Sequence, residues 1–580
     1  MRNRANLNVS LRSKRVPIAR NAMLAAAFGS AFGVWAACPA PADGSRQLLW
    51  GDLHVHTSYS LDANVYGTLA TPADAYRFAR GEPLTRADGS VVQLERALDF
   101  VAVTEHAEWL DFTFLCDSDQ GADFPDCRNL LENRAPGEGA DLFRQYVVPS
   151  ITGPVPTPLK PCAENPALCQ QSALNRWQAV QQQTEQFNEP CSFTTLHGYE
   201  WSHTPNFRHA HRNVLFRSAS VTEQAIDYIH FPTVEALWNA LDEHCDVASG
   251  CEALTIPHNT NMGDGISFEL SNASEQSLRQ RAHYERLIEI TQEKGTSECL
   301  APFGEQSSTD CSFELYLTRQ SRPTEAEAYS QPEWEQMRST YARSLVGQGL
   351  ALPGEEGPLR MGFIGSTDTH AATPGYVDEH LWSGSTLAGT GLDGAMLRRH
   401  WSPGGLVAVW AEENTRSSIF DALRRREVYA TSGPRIALRF AAQTAGSDFC
   451  SHRQTDSTVL MGAQTQFSSA PEFTIQVQTD SAPLDSVQII KLSWLDGEVQ
   501  EQVIDVWDEQ DDRRDRCITW QDPEFNAAAP TLWYPRVLQQ TTPRWTAVQC
   551  AAANRCDEFA DVNFGIQERA WGSPIWHIPR

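Results

Sequence analysis

Short apolar runs alternate with amphipathic stretches over the first 370 residues or so of the chain. Residues 48–56 and 98–104 have the composition of buried strands, and residues 72–80 between them place apolar side chains at helical spacing. Thr71 is an N-cap candidate directly before Pro72. This order of strand, helix and strand predicts a parallel sheet with a crossover helix.

The strand pattern returns further along the chain. It predicts strands at residues 192–196, 213–217, 253–257, 287–291 and 361–365, and helices at 174–187, 234–242 and 333–346. Two segments with cysteines in loop-like sequence, 113–190 and 295–332, interrupt this rhythm. We predict that they are insertions that shape the mouth of a pocket.

The pattern changes after residue 405. Residues 406–410 predict a further strand, and residues 417–425 predict a charged helix. Between residues 448 and 566 apolar and polar side chains often alternate, as they do in β-sandwiches. We therefore predict an α/β region at 48–440, followed by a β-rich, sandwich-like domain at 441–580 that packs on the first region or completes it.

Most predicted strands of the α/β region end in a histidine or a carboxylate. The side chains at these ends are His54, His56, His106, Glu200, His258, Asp368 and His370, and Asp62 lies in the turn after the first strand. In (β/α) barrels the active site gathers at the C-terminal strand ends. Mixed histidine and carboxylate ligands suit Zn, Mn and Fe alike, so the pattern predicts a polynuclear metal site.

Length and charge limit the classes of function. A chain of 580 residues is long enough for more than one domain. The net charge of −27 and the pI near 5.0 argue against a nucleic acid or an anionic membrane surface as partner. We expect a small-molecule substrate.

Residues 1–38 have the composition of a secretory signal peptide, because a basic segment precedes an apolar run of small residues at 22–37. The end of this run, Ala-Ala-Cys at 36–38, resembles a lipobox, so a lipid anchor at Cys38 and ordinary signal-peptide cleavage both remain open. Residues 39–47 resemble a linker, and no second membrane span is predicted. We expect a bacterial protein that is exported to the periplasm or associated with the outer membrane.

Cysteine spacing also favours export. Neighbouring cysteines in polar loop sequence predict the disulfide pairs Cys116/Cys127, Cys162/Cys169, Cys245/Cys251, Cys299/Cys311 and Cys550/Cys556. Three further cysteines, Cys191, Cys450 and Cys517, are left without an assigned partner. If Cys38 is lipidated or removed, one thiol is left over.

Four short motifs resemble those of the PHP (polymerase and histidinol phosphatase) superfamily. They lie at residues 52–57, 104–106, 257–258 and 366–370. More closely, residues 197–201, 365–370, 429–433 and 568–576 resemble the bacterial DUF3604 family. The resemblance implies a distorted (β/α)7 PHP-type barrel, two or three divalent metal ions, and phosphoester hydrolysis with metal-bound hydroxide as the nucleophile.

The resemblance also implies a set of metal ligands. His54 and His56 would bind a first ion with Glu200 and Asp368, and Glu200 would bridge to a second ion held by His258 and one further histidine. His211 suits that place best, with His203 and His209 as rivals. A third ion would use Asp62, His106 and His370. Asp62 lies one residue later than the commonest spacing in the superfamily.

Two further residues are candidates for roles in catalysis. The superfamily usually has Asp where this chain has Glu105, and Glu105 is expected to orient a ligand histidine from behind. Arg212 is expected to neutralise a substrate phosphate, since a guanidinium matches phosphate bidentately. A surface or structural arginine is the competing interpretation.

Three functions remain open at this point. The first is an exported metal-dependent phosphoesterase. The second is a metallohydrolase of another ester or amide bond, because a dinuclear site does not dictate phosphorus chemistry. The third is a non-catalytic binding protein on a degenerate barrel, which the complete set of ligand residues disfavours.

Overall fold

The computed structural model describes residue 38 and residues 46–579, apart from 269, 271–272, 306–310, 317–329, 353, 355–356, 388–390, 444–449, 451–457, 509–512 and 560–563. The predicted signal peptide and linker lie almost wholly outside the described residues. Within the described part of the chain, no helix has the length and apolar character that crossing a membrane requires.

The α/β region is built from short strands and helices, and six short 3-10 or π-helical segments among its described residues are left unlabelled here. Its first strands are β1 (Gln47–Asp52), β2 (Leu84–Thr85), β3 (Val91–Val92), β4 (Phe100–Ala102), β5 (Thr194–Leu196), β6 (Gly198–Trp201), β7 (Arg212–Phe216), β8 (Ala253–Pro257), β9 (Leu287–Gln292), β10 (Gly295–Thr296) and β11 (Gly362–Gly365). Its helices are α1 (Leu61–Val65), α2 (Pro72–Ala79), α3 (Leu110–Asp117), α4 (Pro125–Asn133), α5 (Ala140–Leu142), α6 (Val148–Ile151), α7 (Lys160–Glu164), α8 (Pro166–Phe187), α9 (Val234–His244), α10 (Glu275–Tyr284), α11 (Gln331–Arg338), α12 (Ala342–Gln348) and α13 (Gly391–Leu397).

The predicted start of the fold is confirmed. Strands β1, β4 and β5 pair in parallel, and helix α2 lies between the first two along the chain. Helix α2 begins where the sequence predicts it, because Thr71 and Asp74 form a reciprocal capping box and Pro72 occupies the first turn. The three strands are mostly buried, as apolar strands of a parallel sheet should be.

The expected closed barrel is not found among the described residues. Strands β1, β4 and β5 belong to one sheet, β6, β7 and β8 form a second, and β9, β10 and β11 form a third. Strands β6 and β7 pair antiparallel, so they do not extend the parallel ladder of β5. Isolated parallel bridges link the sheets at Val55 with Thr369 and at His106 with Glu200. The supported description is a mixed α/β fold.

The C-terminal region is rich in strands, as the alternating pattern predicts. The remaining strands are β12 (Leu406–Ala411), β13 (Val428–Thr431), β14 (Ala437–Gln443), β15 (Val459–Leu460), β16 (Gln464–Thr465), β17 (Glu472–Gln478), β18 (Leu484–Leu495), β19 (Glu498–Trp507), β20 (Asp515–Gln521), β21 (Thr531–Gln539), β22 (Thr542–Pro543), β23 (Gly565–Ile566), β24 (Arg569–Gly572) and β25 (Ile575–His577). The remaining helices are α14 (Arg416–Arg425) and α15 (Trp545–Ala552).

One large sheet joins the two ends of the chain. It has 11 strands, and its central path runs β21-β24-β13-β12-β1-β4-β5. A four-stranded sheet, β15-β14-β17-β20, packs against it, with the rings of Phe473 and Trp533 5.0 Å apart. The large sheet crosses the boundary expected near residue 440, so the C-terminal region completes the fold of the first region. A separate domain at 441–580 stays a prediction.

All 14 cysteines form disulfides, which indicates an oxidising compartment. The five pairs predicted from proximity are confirmed. Two of them pin the insertion at 113–190. The other two bonds join Cys38 to Cys191 and Cys450 to Cys517. Because a thiol in a disulfide cannot carry a lipid thioether, a lipid anchor at Cys38, one of the two alternatives that the sequence left open, would require breaking the first of these bonds.

Candidate metal centre

Two histidines lie directly after strand β1, beside the segment that follows strand β11. His54 and His56 are fully buried. The Asp368 amide donates to the His54 carbonyl at 3.0 Å, and the His56 amide donates to the Thr369 carbonyl at 2.9 Å. These backbone bonds hold the two strand ends together and bring the Asp368 carboxylate to the pair of imidazoles.

The first group of donor atoms contains both of these histidines and two carboxylates. His54 Nε2 is 3.3 Å from Glu200 Oε2 and 3.3 Å from Asp368 Oδ1. His56 Nε2 is 3.1 Å and 3.2 Å from the same two oxygens. Four ligands at bond lengths of about 2.0–2.2 Å around a tetrahedral ion are separated by about 3.3–3.6 Å. The buried Nε2 of His56 has no hydrogen-bond partner, and a cation at this place would satisfy it.

The second group shares Glu200 with the first. Glu200 Oε1 is 2.6 Å from His211 Nδ1 and 3.1 Å from His258 Nε2. The other oxygen of the same carboxylate faces His54 and His56. Glu200 therefore presents one oxygen to each group, which is the arrangement of a bridging carboxylate.

The third group is centred on Asp62. Its Oδ2 atom is 2.9 Å from His106 Nε2 and 3.0 Å from His370 Nε2. The His56 ring stacks against the rings of both histidines, with centroids 4.5 Å apart in each pair. The three groups are thus contiguous, and the structure brings together all nine predicted ligands. His203 and His209 stand outside them, and the His209 ring stacks on His211 at 4.5 Å.

The charges in the cluster compensate one another. Burial disfavours protonation of His54, but Asp368 and Glu289 outweigh it and raise the pKa of His54 well above its ordinary value. Burial likewise disfavours ionisation of Glu200, but His106 and His258 hold its pKa well below the ordinary value. The carboxylates stabilise positive charge at the histidines. A metal cation can therefore take the place of the protons on these imidazoles.

Carboxylates and hydroxyls behind the ligands fix the orientation of several imidazoles. Both oxygens of Glu289 lie 3.1 Å from His54 Nδ1. Glu293 Oε1 lies 3.0 Å from His370 Nδ1. Ser202 Oγ lies 2.6 Å from His106 Nδ1. With Nδ1 engaged from behind, the Nε2 atoms of His54 and His370 are directed at the carboxylates of the cluster.

Glu105 acts on His56 through Ser60. Ser60 Oγ donates to Glu105 Oε2 at 2.5 Å and lies 2.9 Å from His56 Nδ1. Because the hydroxyl proton is given to Glu105, the serine oxygen accepts from the Nδ1–H of His56 and leaves Nε2 free of a proton. This contact agrees with the expected role of Glu105 in orienting a ligand histidine.

A cavity of about 500 Å³ opens above the cluster. Its floor contains six of the nine predicted ligands, namely Asp62, His106, Glu200, His211, Asp368 and His370. Its walls come from the insertion at 113–190, from Leu387 and from residues 397–401, as well as from segments near the cluster. The predicted role of the first insertion in shaping the pocket mouth therefore agrees with its position.

A family model described as a protein of unknown function, DUF3604, matches residues 43–518 and 514–579. These matches cover nearly the whole chain. The chain belongs to the DUF3604 family.

More distant similarities of this DUF3604 protein are weak. An uncharacterized protein of Chlamydia pneumoniae is 23% identical over 412 residues, which is 69% of this chain and 49% of that protein. The chain thus spans about half the length of the curated relative that it matches. A two-domain protein from Bacteroides vulgatus, described as containing a predicted PHP-like metal-dependent phosphoesterase, has 11% identity and a TM-score of 0.30 over 85% of this chain and 91% of that one. A score this low does not establish a shared fold.

The side chain of Arg212 binds protein groups outside the cavity. Its Nε donates to Glu285 Oε1 at 3.0 Å, and its terminal nitrogens donate to the carbonyls of Ala210 at 2.5 Å and Ser267 at 2.8 Å. The side chain is buried and does not line the cavity. Arg212 points away from the cavity because its donors bind Glu285 and two backbone carbonyls, and these contacts agree with the structural interpretation.

Lys294, Arg144 and Arg398 line the cavity, and Lys294 forms an ion pair with a predicted ligand. Its ammonium group contacts Asp368 Oδ2 and lies 5.5 Å from the Trp401 ring centroid. Gln292 Nε2 also donates to Asp368 Oδ2, at 2.7 Å. Sequence reasoning missed both residues, although they end and follow strand β9 in the same way that the histidines follow β1. A search for polar side chains at the end of strand β9 would have identified Gln292 and Lys294 as candidates.

Proposed function

We propose that this DUF3604 protein is an exported hydrolase of the PHP type that uses two or three divalent metal ions, Zn, Mn or Fe, to cleave phosphoesters. The observation that carries the proposal is the position of Glu200. Its two oxygens lie within 3.3 Å of histidines from two different groups. The seven disulfides support export.

The donor sets fit ions of this kind. The first ion would be held by His54, His56, Glu200 and Asp368, the second by Glu200, His211 and His258, and the third by Asp62, His106 and His370. When bound, such ions lower the pKa of water and offset the negative charge of phosphoryl oxygens. Imidazole and carboxylate ligands suit this role because they bind borderline cations and leave room for substrate at the open side of the cavity.

The side chains around the cavity would bind the substrate and exclude water. Lys294 places a positive charge beside Asp368 at the cavity wall, where a substrate phosphate would enter. Burial disfavours the charged form of Lys294, but Asp368 and Glu293 raise its pKa above the ordinary value, so it stays cationic at neutral pH. Lys294 thereby takes the role that the sequence suggested for Arg212. Trp109 and Trp401 wall the cavity and limit the access of bulk water.

Metal analysis and a substrate panel test the proposal. Purified protein should contain two or three equivalents of Zn, Mn or Fe, and it should hydrolyse phosphate monoesters or diesters in preference to carboxylic and sulfate esters. His56→Ala should lose metal and activity together, because it removes a ligand of the first ion and its ring lies against both histidines of the third group. The matched control is His380→Ala, which alters an exposed histidine that does not line the cavity above the cluster and should retain both.

Two results would overturn the proposal in different ways. Protein that binds no transition metal under any loading condition would leave only a non-catalytic binding function. Metal-loaded protein that hydrolyses a carboxylic ester, a sulfate ester or an amide but no phosphoester would be a metallohydrolase of another class.

A further inference from the structure

The cavity above the cluster has two chemically different ends. The floor is made of charged and imidazole side chains. The wall that rises from it is largely apolar, and Phe143, Val147 and Ile151 contribute to it from the helical segment at residues 140–151. Trp401 and Leu397 contribute from the opposite side. We call these five residues and Phe207 the apolar wall.

Two members of the apolar wall are exposed to solvent. Phe207 is 55% exposed and Leu397 is 74% exposed. Large exposed apolar side chains at a cavity indicate a site that binds an apolar ligand group. Covering their surface with such a group removes it from water and makes the free energy of binding more favourable. Several other members are covered by protein, so the exposed pair extends an apolar surface that already exists inside the cavity.

The backbone holds Phe207 at the mouth in a costly conformation. Asn206 and Phe207 have φ angles of 53° and 62°, in the left-handed region that bulky residues avoid. The Asn206 amide donates to the Thr152 carbonyl at 2.8 Å, which ties this turn to the end of the segment that carries Ile151. Strained residues of this kind concentrate at ligand sites, where the surrounding structure fixes them.

The six residues of the apolar wall carry no carboxylate or amide side chain for a sugar or another polyol, although Tyr66, Arg144, Tyr316 and Arg398 also line the cavity. Among the described residues that line the cavity, the carboxylates are Asp62, Glu200 and Asp368, all of which belong to the ligand set. The amide side chain that lines it is Asn259, and its oxygen accepts a hydrogen bond from Gln292. A substrate hydroxyl that lay against the aliphatic and phenyl side chains of the apolar wall would therefore lose hydrogen bonds to water without replacing them.

We propose that the substrate is amphiphilic: a phosphate ester of an apolar alcohol, with an aryl or medium-length alkyl group. This inference rests on the proposed function. The phosphate would lie at the floor beside Lys294, and the apolar group would lie along the apolar wall. Hydrolysis joins the oxygen of water to phosphorus, breaks the bond from phosphorus to the alcohol oxygen, and transfers one proton of the water to the departing alcohol.

A chain-length series with metal-loaded protein tests the substrate class. The esters are methyl, butyl, octyl and phenyl phosphate, with glycerol phosphate as the polar comparison. Each methylene that enters the cavity should raise kcat/KM roughly threefold, so octyl phosphate should exceed butyl phosphate by at least about tenfold. Equal values along the series, or a preference for glycerol phosphate, would overturn the inference.

Variants of the wall locate the effect. Phe207→Ala and Ile151→Ala should each lower the ratio of kcat/KM for octyl phosphate to that for methyl phosphate. The control is Leu131→Ala on helix α4 of the same insertion, which removes an apolar side chain that is 38% exposed and does not line the cavity. A ratio that falls as much in the control as in the wall variants would contradict the assignment.

Binding of non-hydrolysable ligands separates this inference from the proposed function. Octylphosphonate and methylphosphonate are titrated calorimetrically into metal-loaded protein. Octylphosphonate should bind at least about tenfold more tightly, and Phe207→Ala should reduce that difference. If the protein hydrolyses no phosphoester but shows this preference, the proposed reaction fails and the ligand class stands. If the two phosphonates bind equally, the ligand class is wrong whatever the protein hydrolyses.

Discussion

The contact between Glu289 and His54 offers the sharpest test of how the cluster is held. Glu289 is buried behind His54, with both carboxylate oxygens 3.1 Å from Nδ1 and no exposed side-chain surface. Glu289→Gln keeps the shape of the side chain and one oxygen acceptor. The substitution removes the negative charge that makes the His54 imidazole more basic. His54 Nε2 would still face Glu200 and Asp368.

The expected effect is a loss of affinity for one ion. Changes to a partner behind a ligand histidine typically reduce metal affinity about 10- to 100-fold, or about 1.4–2.8 kcal/mol. Competition with a fluorescent chelator measures the affinity of each bound equivalent. Because His54 belongs to the first group, the equivalent assigned to that group should weaken most.

Glu293→Gln is the matched comparison, since Glu293 supports His370 in the third group. It should weaken a different equivalent from the one affected by Glu289→Gln. The reasoning is refuted if Glu289→Gln binds every equivalent as the parent does while both proteins show the same melting temperature. It is also refuted if the two variants weaken the same equivalent to the same degree.

Three further predictions concern the support of the site and the stability of the fold. Glu105→Ala removes the acceptor of the Ser60 hydroxyl and should lower metal affinity in the same chelator competition, whereas Glu82→Ala at an exposed position should not. Burial raises the pKa of Glu568 to about 8, so the folded state keeps a proton that the unfolded chain releases, and stability falls as pH rises from the ordinary value toward 8. Glu568→Gln should therefore melt at a higher temperature than the parent at pH 8, with a difference that shrinks toward pH 4; a lower melting temperature across this range contradicts the sign. Exported native protein should show no thiol that reacts with maleimide under denaturing, non-reducing conditions, whereas a lipidated Cys38 would leave Cys191 free to react.

The ligand residues could be predicted because their signal is local. His54 and His56 alternate at the end of an apolar strand, and Asp368 and His370 repeat that spacing. Five disulfides could be predicted for the same reason, since their cysteines lie 6 to 12 residues apart. The bonds from Cys38 to Cys191 and from Cys450 to Cys517 span 153 and 67 residues, and no local pattern indicates such partners.

The direction of a side chain was harder to predict than its position along the chain. Arg212 and Asn213 are neighbours on strand β7, so their side chains leave opposite faces of the sheet. The sequence places Arg212 one residue from the ligand His211, but strand geometry turns it toward Glu285 and away from the cavity. Whether separate strands join into one sheet likewise depends on contacts between segments that are distant in the sequence. Hydrophobic periodicity predicts the strands themselves, but it does not show whether they close into a barrel.

The C-terminal region supports the site through one buried carboxylate. Glu298 lies four residues after Lys294, and it accepts hydrogen bonds from Tyr534 at 2.9 Å and from Trp571 at 2.7 Å. Arg343 donates to the same carboxylate at 2.6 Å. Burial disfavours ionisation of Glu298, but Arg343 and Arg536 lower its pKa to about 2, so it stays charged and bound. The segment that carries Lys294 to the cavity is thereby fastened to strands β21 and β24. The C-terminal strands extend the sheet that begins with β1, and they also hold in place one of the charged walls of the metal centre.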